Sequence, residues 1–262
     1  MPSIGTLKAL RQRGPARSRR RPFAAFGNPV FDGASPDARM PDITEMPASV
    51  ELDVRRWGSR HQDPLLASED ELLALASLVQ VDRRDIFLRD RANETMLERL
   101  DLNAYQTLAF GTHVVIPDDG RPAIAEPALL LRVSDRINSD DDGILTESEI
   151  ARLNVAADLV MLSICRKSGP PSRPGGEALS ELARAFLLAG AHALLVGHWG
   201  SERDAMRALT ERTMVFLGHH PAAGRAAALR RAMIDMIETA PDVRYSHPAL
   251  WAAFKIVGDG RG

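Results

Sequence analysis

Strand-length runs of apolar residues alternate along this chain with stretches whose apolar residues recur every three or four positions. No other feature of the sequence restricts the fold more. Strand-type and helix-type periodicities taken in turn are what a series of βαβ units requires, with a mostly parallel sheet and helices on its faces. The pattern predicts an α/β fold with strands over 22–27, 85–88, 106–110, 157–163 and 191–197. It adds a strand or hairpin arm over 128–133 and a terminal strand over 250–257. Helices are predicted over 69–80, 177–189, 201–217 and 225–239. In the second of these, Leu179, Leu182, Ala183, Phe186 and Leu187 share one face, and Gly190 stands where a helix closes well on glycine. In the last, Leu229, Met233, Met236 and Ile237 form a stripe read as core packing.

The chain has 262 residues, enough for one large α/β domain, and neither a repeat nor a composition break divides it, so 1–262 is read as a single domain. Hydrophobic residues make up 45%, which can fill a core of that size. A formal net charge of −2 offers no global field for nucleic acid or an anionic membrane. The single cysteine excludes an internal disulfide and suits a reducing compartment. No apolar run approaches the ~20 residues that span a bilayer, and the N-terminus lacks the apolar block of a secretory signal. A cytoplasmic protein is therefore expected. Seven Lys and Arg residues crowd into 8–21. With no aromatic residue among them to stack on bases, this stretch is read as a solvated connector.

In a parallel sheet the carboxyl ends of the strands open on one edge, and reacting groups collect just beyond them. Two residues hold such positions. His113 ends the run Leu108-Ala-Phe-Gly-Thr-His113, and Cys165 ends Asp158-Leu-Val-Met-Leu-Ser-Ile-Cys165. They lie 52 residues apart, room for one crossover that sets their strands side by side. The pair suffices for thiol catalysis, because an imidazole can take the thiol proton and later protonate a leaving amine. A histidine about 50 residues upstream of a strand-end cysteine is also the caspase spacing. Taken alone, a lone cysteine or a lone histidine is more often structural.

Other patterns carry less. Asn138-Ser-Asp-Asp-Asp-Gly-Ile-Leu-Thr-Glu-Ser-Glu149 has the oxygen spacing of a calcium loop. The β-rich run over 128–133 is the wrong neighbour for it, and Thr146 with Glu149 reads better as a capping box opening a helix. His198, His219 and His220 lack a second ligand set at helical spacing, so no metal and no cofactor is expected. Trp199, Trp251 and Phe254 are read as core or lid packing.

Several runs, taken in order, resemble the CHAT domain family, a caspase-like group related to clan CD cysteine peptidases. They are Leu108 to His113, Ala125-Glu-Pro-Ala-Leu-Leu-Leu131, Asp142-Gly-Ile-Leu-Thr-Glu-Ser-Glu-Ile150 and Ala157 to Cys165. Gly176-Glu-Ala-Leu-Ser-Glu-Leu-Ala-Arg-Ala-Phe186, His198-Trp199 and His247-Pro-Ala-Leu-Trp-Ala-Ala-Phe254 continue the likeness. The resemblance spans nearly the whole chain. It implies a caspase-like three-layer sandwich, with an edge strand upstream of residue 1 that this chain would lack. It also implies cysteine endopeptidase chemistry, with the family's histidine and cysteine falling on His113 and Cys165. Its members commonly accompany tetratricopeptide repeats, so a repeat protein encoded nearby is an expected partner besides a protein or peptide substrate. No nucleic acid and no membrane partner is implied. Where the family reads Thr-His-Gly, Val114 follows His113 here, which predicts a misaimed oxyanion donor. Where the family favours a polar or acidic residue after the cysteine, Arg166 and Lys167 stand instead. These departures open a second reading, a catalytically weakened or inactive domain that serves as a protein–protein interaction or signalling module.

Overall fold

The computed structural model describes residues 20–30, 66–115, 125–133, 142–163, 176–197, 203–239 and 243–261. Strands β1 (Arg21–Gly27), β3 (Tyr105–Gly111), β7 (Leu159–Leu162) and β8 (Ala193–Gly197) form the middle of a six-stranded sheet ordered β2-β1-β3-β7-β8-β9. Strand β2 (Ile86–Leu88) is one edge and β9 (Phe254–Gly258) the other. Every pair is parallel except β8 with β9. A separate three-stranded antiparallel ribbon joins β4 (Val114–Val115), β5 (Ala128–Leu130) and β6 (Ile144–Thr146).

The interior strands are apolar at consecutive positions because both faces of the sheet are covered. Ala24, Phe26, Leu108, Phe110, Val160, Leu162, Leu194 and Val196 point to one core. That core takes in Leu97 of α2 (Glu94–Arg99), Ile150 of α3 (Glu147–Arg152) and Leu182 and Phe186 of α4 (Gly176–Ala189). The alternate residues Phe23, Ala25, Ala109, Leu159, Met161 and Leu195 point to the other. Leu72 and Leu75 of α1 (Leu66–Leu78), Leu209 of α5 (Arg203–His219), Leu229 and Met236 of α6 (Arg225–Thr239) and Leu250 of α7 (Pro248–Trp251) fill it. The result is a three-layer α/β sandwich, with the mostly parallel sheet that the alternating pattern predicts and the layering that the resemblance implies. Among the described residues no helix is long and apolar enough to cross a membrane.

Helix α1 lies close against the sheet because two glycines make room. A Cβ at Gly27 would overlap the Leu72 side chain, and one at Gly111 would come within 3.0 Å of Leu72 and 3.1 Å of Ser68. Gly190 closes α4 at a φ of +120°, its N–H donating to Phe186 at 3.1 Å.

Some expectations change. The run over 250–257 is not one strand. His247 caps a short helix by accepting from the Ala249 N–H at 3.2 Å, and only then does β9 begin, antiparallel to its neighbour. Strand β2 starts at Ile86, because Asp82 caps a 3₁₀ turn over Arg83–Asp85. Helix α2 is too short to show a period in the sequence, though Asn93 caps it by accepting from the Met96 N–H at 2.8 Å. Ile237 turns outward at 43% exposure, so the α6 stripe narrows to Leu229, Met236 and the half-buried Met233.

The amino edge of the sheet is fastened by charge. Asp158, just before β7, is met by Arg20, by His192 at 3.4 Å and by Arg225 at 3.6 Å. The Arg20 side chain is 5% exposed and also donates to the Ala156 carbonyl. Burial alone would raise the Asp158 pKa, but His192, Arg20 and Arg225 outweigh it and hold the carboxyl down at about 2. Arg225 shifts the opposite way, downward, because its own burial exceeds the pull of Asp158 and Asp259. It stays charged all the same, since guanidinium has pKa to spare. Beside this group the buried Tyr105 donates its hydroxyl to Asp85 at 2.9 Å and accepts from Arg21 at 2.7 Å. Burial, with Asp85 adding to it, pushes the phenol up to about 12. Arg20 and Arg21, the last two residues of the basic stretch, thus belong to the folded body; residues 8–19 lie outside the described residues.

Candidate functional site

The carboxyl ends of β1, β3 and β7 open side by side on the opposite edge. Strands β3 and β7 run parallel with Phe110 opposite Leu162, and the Ser163 N–H extends the ladder by donating to the Phe110 carbonyl at 2.9 Å. His113 follows Phe110 by three residues in the sequence, as Cys165 follows Leu162. Cys165, with the loop over 168–175, His198 and Trp199, lies outside the described residues.

His113 is buried, with 8% of its surface exposed. Its backbone is held by the ribbon rather than by the sheet. Thr112 donates its hydroxyl to the Leu130 carbonyl, and the Leu130 N–H donates to the His113 carbonyl at 2.9 Å. The chain then enters β4 directly, with Val114 opposite Leu129. Val114 therefore keeps an extended backbone that suits a β-branched residue. Since His113 and Leu130 are a hydrogen-bonded pair, antiparallel alternation makes Val114 and Leu129 a non-hydrogen-bonded one. The Val114 N–H is thereby directed away from β5.

The floor of this edge comes from α1, and its polar residues escape sequence reasoning. Glu71 is 5% exposed, and its Oε1 accepts from the Ser163 hydroxyl at 2.9 Å and lies 2.9 Å from the Thr210 hydroxyl of α5. Burial raises the pKa of this carboxyl; the Ser163 and Thr210 hydroxyls pull it back only in part. Nearby, Asn28 takes a φ of +46° where β1 ends and donates its side-chain amide to Glu69. Arg89, at a φ of +54°, donates to the same carboxylate at 3.1 Å. In the sequence Glu69-Asp70-Glu71 looks like the solvated acidic first turn of a helix. The available signal is position: Ser68, Glu71, Leu72 and Leu75 are spaced as one helical face, and all four are buried.

Of the remaining motifs, the capping box is present. The Thr146 side chain accepts from the Glu149 N–H while the Glu149 carboxylate accepts from the Thr146 N–H at 2.8 Å, a complete capping box at the start of α3. Asn138 to Asp141 lie outside the described residues. His219 and His220 are exposed at the end of α5. Among the described residues no group of three or more His, Cys, Asp or Glu side chains could hold a metal ion. Phe254 is buried in the core, and the Trp251 indole donates to the Ser246 carbonyl at 3.1 Å.

Compared with known proteins, residues 1–259 match the family model described as CHAT domain. No curated protein matches the chain.

Proposed function

This chain belongs to the CHAT domain family and has its caspase-like fold, and from that premise we propose that it is a cysteine endopeptidase in which Cys165 is the nucleophile and His113 the general base and acid. The observation that carries the reading is the register of β3 against β7. Two neighbouring parallel strands have Phe110 opposite Leu162, and in the sequence His113 and Cys165 each follow that pair by three residues, which supports the reading.

The chemistry follows from the residue types. His113 takes the Cys165 proton, and the thiolate attacks the carbonyl carbon of a peptide bond. The oxygen of the tetrahedral intermediate takes hydrogen bonds from backbone amides near His113 and Cys165. The direction of the Val114 N–H supports its service here, and one such donor is worth on the order of 10²–10³ in rate. The imidazolium then protonates the departing amine, and water activated by the neutral imidazole hydrolyses the thioester. The substrate is a peptide bond in a partner protein, and a tetratricopeptide-repeat protein is the partner the resemblance favours. The reaction as written needs neither metal nor cofactor.

The second reading, a scaffold kept for protein contacts, rests on Arg166 and Lys167 following the cysteine. One experiment separates the two. An electrophilic thiol probe should label the wild-type chain at Cys165, and His113→Ala should slow labelling at least about tenfold at neutral pH. Cys165→Ser should abolish proteolysis with a melting temperature close to wild type. Equal labelling of wild type and His113→Ala, or cleavage surviving Cys165→Ser, would overturn the peptidase in favour of the scaffold.

A further inference from the structure

The reaction just described leaves one buried carboxyl of the same edge unused. Glu71 is buried on α1, reaching Ser163 at the end of β7 and Thr210 on α5 with a single oxygen. Ser163 and Thr210 are themselves buried, at 4% and 2% exposure. Ser163 is therefore fixed twice: its N–H donates to β3, and its hydroxyl donates to Glu71. Two residues further along the chain comes Cys165.

We infer that Glu71 is a positioning residue for the nucleophile, acting by holding Ser163, two residues before Cys165 in the sequence, between α1 and α5. The inference rests on the dyad proposed above. Its physical basis is a comparison of costs. A carboxyl buried in a core is expensive, and an apolar residue of similar volume usually serves stability as well or better. A hydrogen-bond acceptor here gives what leucine cannot, a directional link between a strand end and two helices.

The surroundings suit a neutral carboxylic acid. Thr210 has one hydroxyl proton, and the Met206 and Arg207 carbonyls, at 3.1 and 3.0 Å, compete for it. A protonated Glu71 donates to Thr210 and still accepts from Ser163. Desolvation favours that form, and Glu211 of α5 adds to it while Arg207 opposes. Arg207 is itself paired with Glu211 at 2.6 Å.

The chain's single cysteine makes the test specific. Alkylation of Cys165 by iodoacetamide is followed from about pH 5 to about pH 10, which yields its apparent pKa and rate. Glu71→Leu should move that pKa toward the ~8.5 of an ordinary thiol and slow alkylation at neutral pH at least about fivefold. Ser163→Ala, which severs the same bond from the other end, should do likewise. Glu71→Gln keeps an acceptor and a donor and should restore the wild-type profile. In a His113→Ala background, Glu71→Leu should have no further effect, since both act on one pair. A folded Glu71→Leu with the wild-type profile overturns the inference. Should that variant fail to fold, a wild-type profile for Ser163→Ala overturns it equally. If His113→Ala changes the profile but neither of these does, the positioning role falls and the dyad stands. If His113→Ala leaves the profile unchanged, the dyad falls and takes this inference with it.

Discussion

Asp158 shows how much a single carboxylate can organise when three cationic or imidazole partners converge on it. Its side chain is 27% exposed and that of Arg20 only 5%, so removing the carboxylate leaves a nearly buried guanidinium with carbonyl acceptors but without the carboxylate it pairs with. Asp158→Ala should cost about 3 kcal/mol, the low end of what an unpaired buried charge costs, measured by urea unfolding at neutral pH. The pH dependence has a definite sign. The folded pKa lies at about 2, below the ordinary 3.8, so the contribution is complete above 3.8 and is lost as pH falls through about 2. Wild type should lose stability over that interval more steeply than Asp158→Asn. Parallel acid-unfolding curves for the two proteins would contradict the assignment. At Glu71 the sign is reversed. A raised pKa makes its contribution complete below the unfolded value and lost as pH rises, so the neutral acid is the stabilising form. Neither role was legible in the sequence. A charge next to an apolar run looks solvated until the packing above it is known, and only its place on the helical face sets Glu71 apart from Asp70.

Elements were easier to read than residues, for a physical reason. Strands covered on both faces have to be apolar at every position, so β1, β3, β7 and β8 stand out as runs, and their centres fall where predicted. Boundaries moved where a local cap outweighed the run, as at the Asp82-capped turn before β2 and the His247-capped helix before β9. The ribbon was only half visible. Its outer strands, Val114–Val115 and Ile144–Thr146, are too short to show alternation and pair across long sequence separations. The contact of α1 with the sheet gives the prediction proper to this scale. Gly27→Ala places a methyl group into Leu72 and within 3.0 Å of the Gly111 carbonyl. It should destabilise by about 1–3 kcal/mol, the usual cost of overpacking. The double change with Leu72→Ala should cost less than the sum of the single changes, because the second removes the obstacle met by the first. Strict additivity in denaturant melts would show that the two residues do not meet.

Across the whole molecule, sheet order ranks the strands by protection. β3 and β7 have hydrogen-bonded neighbours on both sides and cores above and below, whereas β2 and β9 each pair on one side only among the described residues. Amide hydrogen exchange should be slowest in β1, β3, β7 and β8 and measurably faster in β9. A β9 as slow as β7 would mean that its outer side is covered in solution. The fold class and the place of His113 were legible because both follow from strand order and polarity. The link from Glu71 to Ser163 was not, because it joins residues 92 positions apart through a side chain.

The ionic fastening at the amino ends of the strands has a practical consequence for the far rim. Asp158 changes charge only in strong acid, and Tyr105, held at about 12, only in strong alkali. Between those extremes neither Asp158 nor Tyr105 changes charge, across the whole interval in which a thiol and an imidazole exchange protons. A reactivity curve recorded there is a signal free of background from those two groups.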